Sequence, residues 1–290
     1  MSWLTMHHPR TAPVRHGPLA AMALAACALA CTDPPSQVIE AARYESDHFV
    51  VLDYSRLLPS VGDSFIRRLE ADYEAVVDFL PRFTGPASIV ANIVPGIGVP
   101  SVSLDPPIVI TQWGGNLAFD YNVHLLIHAF TRYQQSQFLE EGLAVYGTEL
   151  LAPDAPAVEP YRGQVPHAWV SLFAGAGTLI PFDTLYRAAG VSYEPAGSFV
   201  DASAWQFFIM AGSFTRWVFD TYGGDTFWRL FDGEDPNSLF GFSSGSAGIL
   251  ARWVEDAEAL YPRPLTCREA LLDVGVREEF WCALAEGTAR

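Results

Sequence analysis

Two histidines four residues apart in one apolar run, followed by a glutamate in a second apolar run, constrain this chain more than any other feature of its 290 residues. The first run is Val123-His124-Leu125-Leu126-Ile127-His128-Ala129; the second is Phe138-Leu139-Glu140-Glu141-Gly142-Leu143-Ala144-Val145-Tyr146. Residues 119–133 and 138–150 read as two helices joined by a short turn near Ser136. The i, i+4 spacing stacks both imidazoles on one helix face, a turn apart, where both can reach one ion. A helix leaving His128 runs about one more turn, reverses near Ser136 and returns, a path that can bring Glu141 back beside the histidines. Two histidines and one glutamate form a catalytic zinc set with a fourth position open for water. Each residue also has a plainer reading: a structural or surface pair for the histidines, a solvated charge on an amphipathic helix for Glu141.

Composition excludes several functions. Half the residues are hydrophobic and 13% are aromatic, which argues against disorder and for a well-buried body. The net charge is −16, and a surface this acidic repels phosphate backbones, so nucleic acid is an unfavourable partner. All 17 basic residues are arginine. Without lysine there is no P-loop lysine, no Schiff base and no Ser–Lys dyad.

The N-terminus reads as an export signal. Residues 1–16 are polar and positive, and Leu19 to Ala30 is an apolar run too short to span a bilayer. Two cysteines close it, in Leu24-Ala25-Ala26-Cys27 and Ala28-Leu29-Ala30-Cys31. Both resemble the lipobox of bacterial lipoproteins, in which the cysteine is acylated and becomes the mature N-terminus. Cys27 has the better upstream tripeptide; Cys31 is followed at once by polar Thr32-Asp33-Pro34-Pro35 and is the preferred site. The resemblance implies an exported cell-envelope protein held at a membrane by lipid alone. A plain secretory signal is the alternative. Cys267 and Cys282 lie outside this segment; they could form a bridge contributing about 3 kcal/mol, or stay as two buried thiols.

Along the rest of the chain, residues 31–46 read as a tether and 47–290 as one α+β domain. Its first part, 47–118, carries a strand at Phe49–Tyr54 and a helix capped by Asp63. Phe65, Ile66, Leu69, Tyr73, Val76, Val77 and Leu80 form the buried face of that helix, and Pro81 stops it. Two β-rich stretches follow, Ala87–Val94 and Val102–Ile110. The metal-site helices occupy 119–150. The part from 151 to 290 is helical: a Pro/Gly/Ala-rich stretch to 200 with one short helix, an apolar helix at 202–222 that is core and not a membrane span, and helices near 246–260 and 266–285.

Residues 138–146 resemble the second metal-site helix of gluzincin zinc metallopeptidases, in the peptidase MA-like branch, which reads roughly Trp/Phe-Leu-x-Glu-Gly-Leu-Ala-x-Tyr. In that family His-Glu-x-x-His supplies two ligands and the later glutamate the third, so the resemblance assigns zinc to His124, His128 and Glu141. Ala211 to Gly223 is similar to a recurrent later segment. The resemblance implies a thermolysin-like architecture: a small β-sheet packed on helices with a helical C-terminal part.

The departure from the family lies at Leu125, where the family carries the glutamate that takes a proton from metal-bound water and passes it to the leaving amine. Phe208 stands where relatives often carry a tyrosine. Asp120, one turn before His124, could orient that imidazole or, less readily, replace the base; Glu140 should point about 100° away from Glu141, and Glu149 should lie too far along the helix. The readings that follow are a degenerate zinc-holding domain that binds peptide or protein without efficient hydrolysis, an active peptidase with a substitute base, and a metal-free fold with structural histidines. Gly241-Phe242-Ser243-Ser244-Gly245 matches a nucleophile-elbow pattern, but no histidine follows it, so it reads as a loop.

Overall fold

The computed structural model describes residues 40–56, 59–96, 101–113, 122–132, 136–152, 166–188 and 202–261. All of these but Glu40 belong to one unit that begins at Ala41. The export signal, Cys27, Cys31, Asp120, the helix at 266–285, Cys267 and Cys282 lie outside the described residues.

Among the described residues the chain is mixed α+β, with one five-stranded sheet. In chain order the elements are β1 (Ala42–Glu45), β2 (Phe49–Asp53), α1 (Pro59–Phe79), β3 (Ile89–Val94), β4 (Ser101–Ser103) and β5 (Ile108–Trp113). Then come α2 (Asn122–Thr131), α3 (Gln137–Leu151), α4 (Pro166–Ala176), α5 (Phe182–Tyr186), α6 (Ala202–Tyr222), α7 (Gly224–Phe231), α8 (Pro236–Phe240) and α9 (Ser246–Leu260). The sheet order is β1-β2-β3-β5-β4. The three central strands are parallel, and the two edge strands are antiparallel to their neighbours.

Period-two alternation builds the buried face of this sheet. Phe49, Ile89 and Ile108 share one row, and Val51, Ala91 and Ile110 the next, all buried. The third row carries Asp53, Ile93 and Gln112, so the sheet's face turns polar toward the C-terminal ends of its parallel strands. Against the sheet lies α1, which buries Phe65, Ile66, Leu69, Tyr73 and Val76, with Leu80 just past its end. Pro81 then ends the helical ladder, having no N–H to give.

Several expectations are corrected. The strand β1 falls inside the stretch read as tether. Ala-Arg-Tyr-Glu is mostly exposed and is held by pairing with β2, so it carries no hydrophobic signal. Asp63 is not a cap, because α1 begins at Pro59. Val77 is 40% exposed, at the edge of the apolar stripe rather than within it. The stretch Val102–Ile110 is two antiparallel strands, β4 and β5. The Pro/Gly/Ala-rich stretch holds two helices, α4 and α5. Neither α7 nor α8 was expected; Asp235 caps α8 by accepting from the Ser238 N–H at 3.0 Å, with Pro236 in the first turn. By contrast α6 spans the expected residues, and among the described residues no helix is long and apolar enough to cross a membrane.

The helical layer is knit by close crossing of α3 and α6. A Cβ on Gly142 would stand 2.5 Å from the Ala211 carbonyl oxygen, and one on Gly212 would meet the Val145 side chain. Both positions therefore need glycine, and the crossing fixes the helix that carries Glu141. Phe138, Phe207, Phe214, Trp217 and Trp253 fill the space around it.

Candidate metal centre

All ten residues of α2 are buried, so both of its imidazoles are aimed into protein rather than water. A chain of side chains fixes the start of this helix. Gln112 Nε2 on β5 donates to Asn122 Oδ1 at 3.0 Å, and Asn122 Nδ2 donates to Asp72 Oδ2 on α1 at 3.3 Å. Arg68 Nε donates to Asp72 Oδ1 at 2.8 Å. The far end is tied to α3. Thr131 Oγ1 lies 3.1 Å from the Ile127 carbonyl and also meets Glu140 Oε2. At the N-cap of α3, the Ser136 hydroxyl donates to the Tyr186 carbonyl at 3.1 Å, while its own carbonyl accepts from Leu139 and Glu140.

These ties bring His124, His128 and Glu141 together. The two Nε2 atoms are 3.1 Å apart. Glu141 Oε2 lies 3.4 Å from His124 Nε2 and 3.2 Å from His128 Nε2. The three residues are 4%, 2% and 5% exposed, and together they form a group that could hold a metal ion. Three electron-rich atoms at the corners of so small a triangle repel one another unless positive charge lies among them, whether a proton or a cation.

The electrostatics follow from burial. Removal from water lowers the His124 pKa; hydrogen bonding to Glu141 opposes this and the neighbouring His128 adds to it, so the net shift is downward. Burial alone would raise Glu141, but the two imidazoles overcome it and hold the carboxyl well below the usual carboxylate range. An ionised carboxylate beside a neutral imidazole is the protonation pattern that metal ligation requires.

No family model, curated protein or solved structure matches this chain.

The remaining sequence candidates fall as follows. Leu125 is 2% exposed and belongs to the hydrophobic core. Glu140 is buried against Thr131 and does not join the metal-competent group. Glu149 accepts from Arg216 Nη1 at 2.6 Å. Phe208 is buried on α6, and Tyr146 stacks on Phe219 with ring centroids 4.8 Å apart. The loop Gly241–Gly245 precedes α9, as read from its sequence. Sequence reasoning missed the Gln112–Asn122–Asp72–Arg68 chain. Asn122 lies two residues before His124, but no periodicity links it to Asp72 fifty residues earlier.

Proposed function

We propose that this chain is a cell-envelope lipoprotein whose folded part is a degenerate gluzincin-like domain of the peptidase MA-like type. It holds zinc through His124, His128 and Glu141 and binds peptide or protein without efficient hydrolysis. The observation that carries the reading is the triangle of ligand atoms, with sides of 3.1, 3.2 and 3.4 Å. Tetrahedral zinc with bonds of about 2.0–2.1 Å separates its ligand atoms by roughly 3.3 Å, so the side chains stand close to the spacing that such an ion requires. The donor set, two imidazole nitrogens and one carboxylate oxygen, suits zinc better than calcium or magnesium, which favour all-oxygen shells. A three-ligand set leaves a fourth position open, and a bound zinc ion would there polarise a carbonyl and acidify water.

What the protein's own residues do is hold that set and withhold a base. Glu141 and the two imidazoles are fixed by the α3–α6 crossing and by the Gln112–Asn122–Asp72 chain. Leu125, next to His124, has no proton to give or take. Glu140 and Glu149, the described alternatives, are engaged with Thr131 and Arg216. Proton transfer by a positioned base contributes about 10²–10⁴-fold, so its loss leaves a site that favours binding over turnover. Membrane attachment rests on the apolar run ending at Cys27 and Cys31, with the lipid on Cys31.

A peptide-library cleavage assay on the full chain tests the reading, with Leu125→Glu as its partner. The wild type should show no chelator-sensitive cleavage above background. The L125E variant, provided it still holds metal, should gain cleavage of at least about 10²-fold over that background. Efficient cleavage by the wild type, abolished in His124→Ala, would favour an active peptidase with a substitute base such as Asp120.

A further inference from the structure

The metal centre makes no use of an open cavity of about 480 Å³ between the α1–β3 connection and the C-terminal end of α2. That volume lies within the roughly 300–1,000 Å³ that small ligands fill. Its walls include Arg82, Phe83, Thr84, Pro86, Phe130 and Arg132. Two guanidinium groups thus border one concavity in a chain that carries 33 acidic and 17 basic residues.

The two arginines are held differently. Arg82 is fixed: its Nη2 donates to Asp232 Oδ1 at 2.6 Å, and its guanidinium lies 4.9 Å from the Trp228 ring centroid. One carboxylate on one edge leaves further N–H groups of the five-donor fork available. Arg132 has no ion-pair partner among the described residues. Its N–H closes α2 by donating to the His128 carbonyl at 2.8 Å, and its φ is +58°, in the left-handed region. Helices ordinarily end there on glycine or asparagine, because a Cβ is disfavoured. Glycine would serve the backbone better, so the arginine side chain has a use of its own. Complementing the helix dipole is a partial account, since an arginine in the last turn would do so with ordinary dihedrals.

We propose that this cavity binds a compact multivalent oxyanion, carboxylate or phosphate, between Arg82 and Arg132. Guanidinium forks match the paired oxygens of both groups, and Phe83, Pro86 and Phe130 supply apolar walls that strengthen the attraction. The inference is independent of whether the metal centre is filled.

Titration calorimetry on the full chain, at constant ionic strength, tests it with citrate and with inorganic phosphate as separate probes. At least one should give saturable single-site binding, and the tighter of the two identifies the chemistry. Arg132→Gly relieves the left-handed strain, so its Tm should stay within a few degrees of wild type, while binding weakens at least about tenfold. Thr84→Glu, which places a carboxylate in the cavity, should also abolish binding. No saturable heat with either probe, or equal binding by wild type and R132G, would overturn the proposal.

Discussion

Among its described residues the protein buries histidine in two clusters, and the two are built on different plans. On one side, Trp253 Nε1 donates to Ser213 Oγ at 3.0 Å, and Ser213 Oγ lies 2.7 Å from His167 Nδ1. An indole N–H can only donate, so the hydroxyl proton is free to turn toward His167, whose Nδ1 accepts it in the Nε2–H tautomer. Each contact in this relay pairs a proton with a lone pair, and the cluster is complete without a ligand. On the other side, His124, His128 and Glu141 turn three ligand-capable atoms toward one point, a space that a shared proton or a metal ion can fill. Burial is nearly equal in the two places. What separates the two clusters is that only the second gathers side-chain atoms close enough that they could hold a metal ion.

The largest expected effect follows from removing metal. Chelation of the purified chain should lower Tm by roughly 10 °C, corresponding to about 4 kcal/mol for an ion held at a thousandfold excess over its Kd. Ser213→Ala should retain its metal and its response to chelator. Differential scanning calorimetry with and without chelator reads both, and equal responses in chelated and untreated wild type would erase the contrast.

Acid should distinguish the clusters next. Burial, reinforced by Arg216 and opposed by Asp220 and Asp256, lowers His167 from 6.5 to about 4. Between those values the unfolded chain binds a proton that the folded chain does not, so stability falls as pH drops through that window and is unaffected above it. The loss amounts to about 3 kcal/mol. Measured on chelated protein, where the metal makes no contribution, His167→Asn should flatten this acid limb, because its Oδ1 can still accept from Ser213. An unchanged limb would show that another group is responsible.

A smaller effect is expected from Ser213→Ala at neutral pH. It strands the Trp253 N–H and the His167 Nδ1 in a buried site, which should cost about 2 kcal/mol. Denaturant unfolding with an unchanged m-value would support this, and a neutral result would mean the relay carries little weight.

Much of this was legible in the sequence, and the limits have physical causes. The apolar stripe of α1, the bounds of α6 and the convergence of His124, His128 and Glu141 all follow from helical periodicity and one short turn, which are local signals. The strand β1 was hidden because Ala42–Glu45 is stabilised by its partner rather than by its own side chains. The Ser213–His167–Trp253 relay was hidden because its members lie 40 and 46 residues apart on helices whose docking no spacing rule encodes. Val77 was misplaced because a stripe drawn at helical spacing does not say how wide its buried part is.

The most direct test is elemental analysis of the chain purified without added metal or chelator, beside Glu141→Gln. Wild type should carry about one equivalent of zinc and E141Q little or none, with both folded by circular dichroism. Zinc-free wild type, or equal zinc in the two proteins, would contradict the central claim that these three side chains converge to hold an ion.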